Sequence, residues 1–253
     1  MTTSHYIAEG VLAAPFILIC LLYLAAAFRD TGWPVYRVGL FTVGTAAAVV
    51  SVLGPLPRMA HDSFVIHMTG HLLLGMLAPL CLVLAAPMTL ALRALPVATA
   101  KQVAKLLRSR FIAIVSHPVT AAVLNIGGLW LLYTTGLYAW MHESALVYIT
   151  VHIHIFLAGY VFTASIIYID PAPHRYSFLF RSGVLVTALA GHGILSKYLY
   201  ASPPPGVGQE AAQAGSMLMY YGGDAVDVAI IVIVCWHWYK AARPRQEKTP
   251  VAE

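Results

Sequence analysis

Five histidines of this chain lie inside long apolar runs: His67 and His71 in one, His152 and His154 in another, and His192 in a third. The four-residue spacing of His67 and His71 puts both imidazoles on one helical face. Counted inward from the same end of each run at about 1.5 Å per residue, His67 and His71 lie roughly 6 and 12 Å deep, His152 and His154 roughly 12 and 15 Å, and His192 roughly 12 Å. His61, Asp62, His142 and Glu143 stand at that end, with Met68, Met217 and Met219 near the same depth. A single buried imidazole is ordinarily an interhelical hydrogen-bonding group. Ionisable groups inside a bilayer normally face the bundle interior and mark ion, proton or cofactor sites, so five at one level predict a metal or haem site. No cysteine shares the layer. Imidazole, thioether and carboxylate remain, a set that suits copper and, less selectively, zinc or haem iron. His152 and His154 point about 200° apart, so a site within one chain uses one of them directly and leaves the other to a supporting or neighbouring role. Asp224 is a further candidate, as a weak ligand, a hydrogen-bond partner of a ligating imidazole or a proton relay, whereas Asp227 reads as a helix-interior partner of a backbone group or tyrosine hydroxyl. His117-Pro118 reads as a helix cap, and His5, His174 and His237 read as solvated or interfacial.

The elements carrying these residues follow from composition. Of 253 residues, 60% are hydrophobic and 10% charged, against about 25% charged in soluble domains. That excludes a soluble enzyme, a nucleic-acid-binding domain and a disulfide scaffold. Cys20, Cys81 and Cys235 lie in separate apolar runs and read as small buried hydrophobes. Apolar stretches at 7–28, 36–54, 63–85, 118–139, 144–169, 179–200 and 213–239 each approach the length of about 20 residues that a spanning helix needs. The expectation is one all-α transmembrane domain over residues 1–240, a bundle of seven helices, followed by a short basic disordered tail, 241–253. Of the 15 basic residues, all but Arg58 and Lys197 fall on the odd-numbered connections and the tail. The positive-inside rule therefore predicts an N-terminus outside and a cytoplasmic C-terminus. Val97, Ala100, Val103, Ala104, Leu107 and Phe111 recur at helical spacing opposite Lys101, Lys105 and Arg108, which fits an interfacial helix on anionic lipid or a solvated basic connector equally well.

Several of these residues fall in a wider pattern. His67-x-x-x-His71-Leu-Leu-Leu is followed by Ala78-Pro79, by Ala86-Pro87-x-Thr89-Leu90-x-Leu92-Arg93-x-Leu95-Pro96 and by His117-Pro118. Further on come His152-x-His154-x-Phe156-Leu157-Ala158-Gly159-Tyr160-x-Phe162, Asp170-Pro171-x-Pro173 and His192. Over about residues 58–240 this resembles the CtaG-type cytochrome c oxidase assembly-factor family. Where that family often has an Asp-Gln-Gln-type segment before its last helix, this chain reads Ala211-Ala212-Gln213-Ala214-Gly215. The resemblance implies a multi-pass protein of the bacterial plasma membrane that serves maturation of a haem-copper oxidase, at a copper-dependent step. The implied partners are the lipid bilayer, oxidase subunits and a copper chaperone on the outer face, and a homo-oligomer is left open. No nucleophile–base pair, phosphate loop or dinucleotide motif appears, so a non-catalytic role is expected. The expected site holds copper transiently at His67, His71, His154 and His192, with His152 as ligand or support and Met68 and Asp224 as accessories. A b-type haem electron carrier and a copper or proton-coupled transporter are the alternatives.

Overall fold

A computed structural model describes residues 3–172 and 174–243. Most of the expected tail therefore lies outside the described residues, as does Pro173 of the Asp-Pro segment. The chain is helical, with no strand among the described residues. The first two helices are α1 (Thr3–Arg29) and α2 (Val35–Val52), followed by the short α3 (Pro55–Ala60). A third long passage is built from α4 (Phe64–Leu72), a wide π-turn (Leu73–Leu77) and α5 (Ala78–Leu84). Short helices α6 (Pro87–Ala94), α7 (Val97–Leu107) and α8 (Arg110–Val115) connect to a fourth passage, α9 (Pro118–Ala122), a second π-turn (Val123–Gly127) and α10 (Gly128–Thr134). Then come α11 (Leu137–Glu143), α12 (Ala145–Ile166), α13 (Phe178–Ala201) and α14 (Gln209–Ala242). Six of these passages are long and apolar enough to cross a membrane, and a seventh joins them if α9–α10 and α11 count as one span.

That seventh passage departs from a straight helix over 118–139. It stops at Thr134 and turns by 78° into α11. The Thr135 hydroxyl donates to the Leu131 carbonyl and accepts from the Leu137 amide, closing one helix and opening the next. As a result α11 brings Tyr138 and His142 back over the bundle.

Caps explain the remaining starts. Ser63, Ser109, Ser144 and Ser177 each accept from a backbone amide in the first turn of α4, α8, α12 and α13, and His117 Nδ1 caps α9 by accepting from the Val119 amide. Such caps satisfy donors that helix geometry leaves free. Each is thus a local instruction in the sequence.

The α4–α5 passage has the largest buried share among the candidate spans. It packs on α2 and α12, with α4 also against α14, while α1 and α13 flank the group. Two ends can be distinguished. One carries His5, Arg58, His61, Asp62, His142 and Glu143. The other is stapled by polar contacts. The Asp170 carboxylate accepts from the Met88 and Thr89 amides and the Thr89 hydroxyl at 3.1, 2.7 and 2.6 Å. There Trp33 Nε1 donates to the Tyr23 hydroxyl, which donates to the Ala85 carbonyl, and Arg93 pairs with Asp30 at 3.0 Å. Of the cysteines only Cys81 is buried, since Cys235 faces outward from α14 where its neighbours expect lipid.

Candidate metal centre

The deepest part of the histidine layer is a pair. His71 from α4 and His192 from α13 face each other with ring centres 6.3 Å apart and planes 26° from parallel. Both are buried. Neither nitrogen of His71 has a hydrogen-bond partner, and Nε2 of His192 has none. A buried imidazole without a partner forfeits the hydrogen bonds it made to water, so such groups call for a water, an ion or a ligand. His71, His192, Met76 and Asp227 line one small cavity of about 30 Å³. That volume is enough for one water or a single ion.

Backbone irregularities build this cavity. The π-turn widens the helix just after His71, and an i→i+5 turn brings residues five apart onto one face, so Met76 joins His71. The second π-turn similarly supplies Asn125 to the wall. Gly159 of α12 crosses so close to the Gly75 carbonyl that any side chain there would collide with it. A Cβ on Gly223 of α14 would stand 2.5 Å from His192 Cε1, so glycine at that position is what lets the His192 ring seat. Trp130 Nε1 donates to the Gly191 carbonyl beside it.

One turn outward, His67 shares a 3.0 Å hydrogen bond with the Tyr133 hydroxyl. A second cavity, of about 20 Å³, is lined by His61, His67, His71, His142, Tyr148 and His152 among others, so His71 is common to both cavities. His152 Nδ1 lies 2.8 Å from the Tyr148 carbonyl. A carbonyl only accepts, so Nδ1 carries the proton and Nε2 keeps its lone pair, the orientation that outer partners give to ligating histidines. Outermost, His61 and His142 share an Nδ1–Nδ1 hydrogen bond of 3.1 Å, and His5 stands edge-on to His61 with ring centres 5.2 Å apart. Burial, reinforced by the neighbouring His5, holds His61 below the ordinary imidazole pKa. A neutral imidazole is the form that binds metals.

The other expected residues lie elsewhere. His154 projects toward the fourth passage, where Nε2 donates to the Leu124 carbonyl of the second π-turn at 3.0 Å and packs on Gly128. It braces two helices and lines neither cavity. Met68 is fully buried in the apolar core with Phe64 and Met219. Asp224 is exposed on α14, and the carboxylate facing the cavity is Asp227, one turn further along the same helix. His5 is buried and unpartnered at Nδ1. Its membrane-edge position concealed that, although Glu9 four residues later, buried and paired to Arg58 at 3.2 Å, marks the same inward face. Among the described residues, no three of His, Cys, Asp and Glu stand close enough to hold a metal ion as placed. The donor set for a small soft ion is instead two imidazoles and a neighbouring thioether, which suits copper.

Toward the opposite end the lining becomes mainly apolar, with Thr163, Ser165 and Arg181 buried beside it and Ser165 and Arg181 bonded to the Phe162 and Ile166 carbonyls. Leu80, Phe162, Ile166, Leu185, Ile230 and Val234 fill that half of the bundle as one buried apolar cluster.

Comparison with known proteins locates this architecture. Uncharacterized proteins of Mycobacterium leprae (strain TN) and Mycobacterium tuberculosis (strain CDC 1551 / Oshkosh) are 33% and 34% identical over 201 residues, in each case 73% of this chain. The matched region is 30% of those relatives' own length, so the chain spans only a part of them. No solved structure matches. A profile of the cytochrome c oxidase caa3 assembly factor family matches residues 20–241, which takes in all four of the long helices that supply the inner histidines and Asp227, and the chain belongs to that family.

Proposed function

We propose that the chain is a multi-pass protein of the bacterial plasma membrane that takes up one copper ion as cargo from the outer face and holds it between His71 and His192 for delivery to a haem-copper oxidase subunit. The observation that carries this reading is the facing pair of buried imidazoles, both nitrogens of His71 and Nε2 of His192 unpartnered, across a cavity sized for one ion. His67 and His152 stand on the approach, and Met76 supplies the thioether that retains the reduced ion. Asp227 offsets the charge of a cation brought into low dielectric. His154 holds the fourth passage in place rather than ligating.

Two observations favour this over the alternatives. A haem macrocycle needs a pocket of the order of 300 Å³ or more, ten times the cavity between the imidazoles. A transporter needs a polar route to both faces, and the half beyond Asp227 is filled chiefly by the buried apolar cluster, its buried Ser165 and Arg181 being tied to backbone carbonyls. A site open to one side suits loading and unloading at the same face without catalysis.

The test is copper per folded protein and oxidase activity per membrane protein in His71→Ala beside the exposed control His174→Ala. The reading predicts loss of the copper held between the two imidazoles and reduced oxidase maturation in the first, at near-normal abundance, and neither change in the second. Unchanged copper and full oxidase activity in His71→Ala would leave the pair as interhelical packing.

A further inference from the structure

At the histidine end, His5 from α1, His61 from the turn before α4 and His142 from α11 converge beneath an open cleft whose rim carries Asp62 and Glu143. His61 and His142 line both this cleft and the second cavity, and His71 lines both the second cavity and the deep one. Three chambers therefore share imidazole walls in sequence from the surface to mid-bundle. We propose that His5, His61 and His142, neighbours that do not meet at one point as placed and close on the ion as it binds, form an uptake station for copper, a second and outer binding site that captures the ion before it passes to the His71–His192 pair. This rests on the copper reading of the deep site.

Unpartnered nitrogens carry the argument. His5 is 5% exposed and its Nδ1 is unpartnered, as is Nε2 of His61. A purely structural cluster would satisfy these atoms, because buried polar groups in folded proteins find partners. The hydrogen bond between His61 and His142 satisfies one nitrogen of each ring and orients the two rings together. Charge at the rim favours a cation. Asp62 and Glu143 are exposed there, while the adjacent Arg58 is neutralised by Glu9, so the rim is net acidic. Acidic clefts raise cation on-rates. The station's imidazoles, without a thioether, bind copper exchangeably, and His67 and His152 in the shared cavity offer the next donors inward.

Stoichiometry and filling rate of the purified full-length chain, supplied with copper(I) under anaerobic, reducing conditions, test the proposal. Wild type is expected to bind two equivalents. His5→Ala/His142→Ala is expected to bind one and to fill it about tenfold more slowly. His71→Ala/His192→Ala is expected to bind one with the fast phase intact. A mouth variant that keeps two equivalents at the wild-type rate overturns the uptake station and leaves the deep site standing. A deep variant that keeps two overturns the underlying reading instead. Should the mouth variant fail to fold, Asp62→Asn/Glu143→Gln, both at exposed positions, decides: slower filling with a weaker salt dependence supports the station, and an unchanged rate overturns it.

Discussion

Replacing His154 by alanine separates bracing from ligation at the scale of one side chain. The variant loses the hydrogen bond to the Leu124 carbonyl, an interhelical contact worth about 0.6–2 kcal/mol. It should melt at a lower temperature in detergent while copper per folded protein stays at the wild-type value, and a loss of copper greater than the loss of folded protein would restore His154 as a ligand. Sequence spacing could not make this distinction. It fixed the depth of His152 and His154 and their opposed directions, but the choice depends on which neighbour each ring meets, and that is set by the turn of α12 against the fourth passage. The same helical arithmetic left Asp224 and Asp227 about 60° short of one full turn apart, and burial settled which one faces the cavity. Met76 was out of reach for a different reason: five residues from His71 is the wrong face of an α-helix, and only the π-turn makes it the right one.

At the scale of elements, the Ala86-Pro87-x-Thr89 and Asp170-Pro171 segments that carry much of the family pattern form a clamp far from the histidines. Asp170 accepts three hydrogen bonds at the start of α6, and Ala86 sits in the left-handed region at φ 52°, which fixes the reversal before that helix. Asp170→Ala leaves the first amides of α6 without an acceptor. Bonds to a charged group contribute roughly 1.5–3 kcal/mol each, discounted here because the site is partly open to solvent. Thermal unfolding should show a net destabilisation of about 2 kcal/mol with copper stoichiometry intact, whereas copper loss at unchanged stability would place the clamp in the site's own chemistry. Helix starts were readable from Ser, His and Pro at the caps. The breaks were not: π-turns leave no mark in hydropathy, and the bend at Thr135-Gly136 lies inside an apolar run. Tyr133, Tyr138 and Tyr148, which frame the imidazoles, escaped notice because aromatic residues are ordinary in apolar helices.

For the whole molecule, the account requires the histidine end to face outward. In the sequence, 13 of the 15 basic residues fall on the odd-numbered connections and the tail, so cysteines placed at Glu143 and Pro204 should react with an impermeant thiol reagent in intact cells and one at Arg108 only after lysis. Reaction at position 108 in intact cells would invert the topology and with it the source of the cargo. The all-helical, multi-pass character was legible from hydropathy and charge alone, because the bilayer sets helix length and the basic residues set the sides. The convergence of three chambers was not, since it depends on how the helices pack. The central claim, that a copper ion rests between His71 and His192 beside Met76, is tested most directly by X-ray absorption at the copper edge on the chain loaded so that only the deep site is filled, in the His5→Ala/His142→Ala background. The account predicts nitrogen scatterers at about 2 Å with the outer-shell pattern of two imidazoles and one sulfur neighbour, a signal that is lost in His71→Ala. A spectrum of oxygen neighbours alone, or one that His71→Ala leaves unchanged, would contradict it.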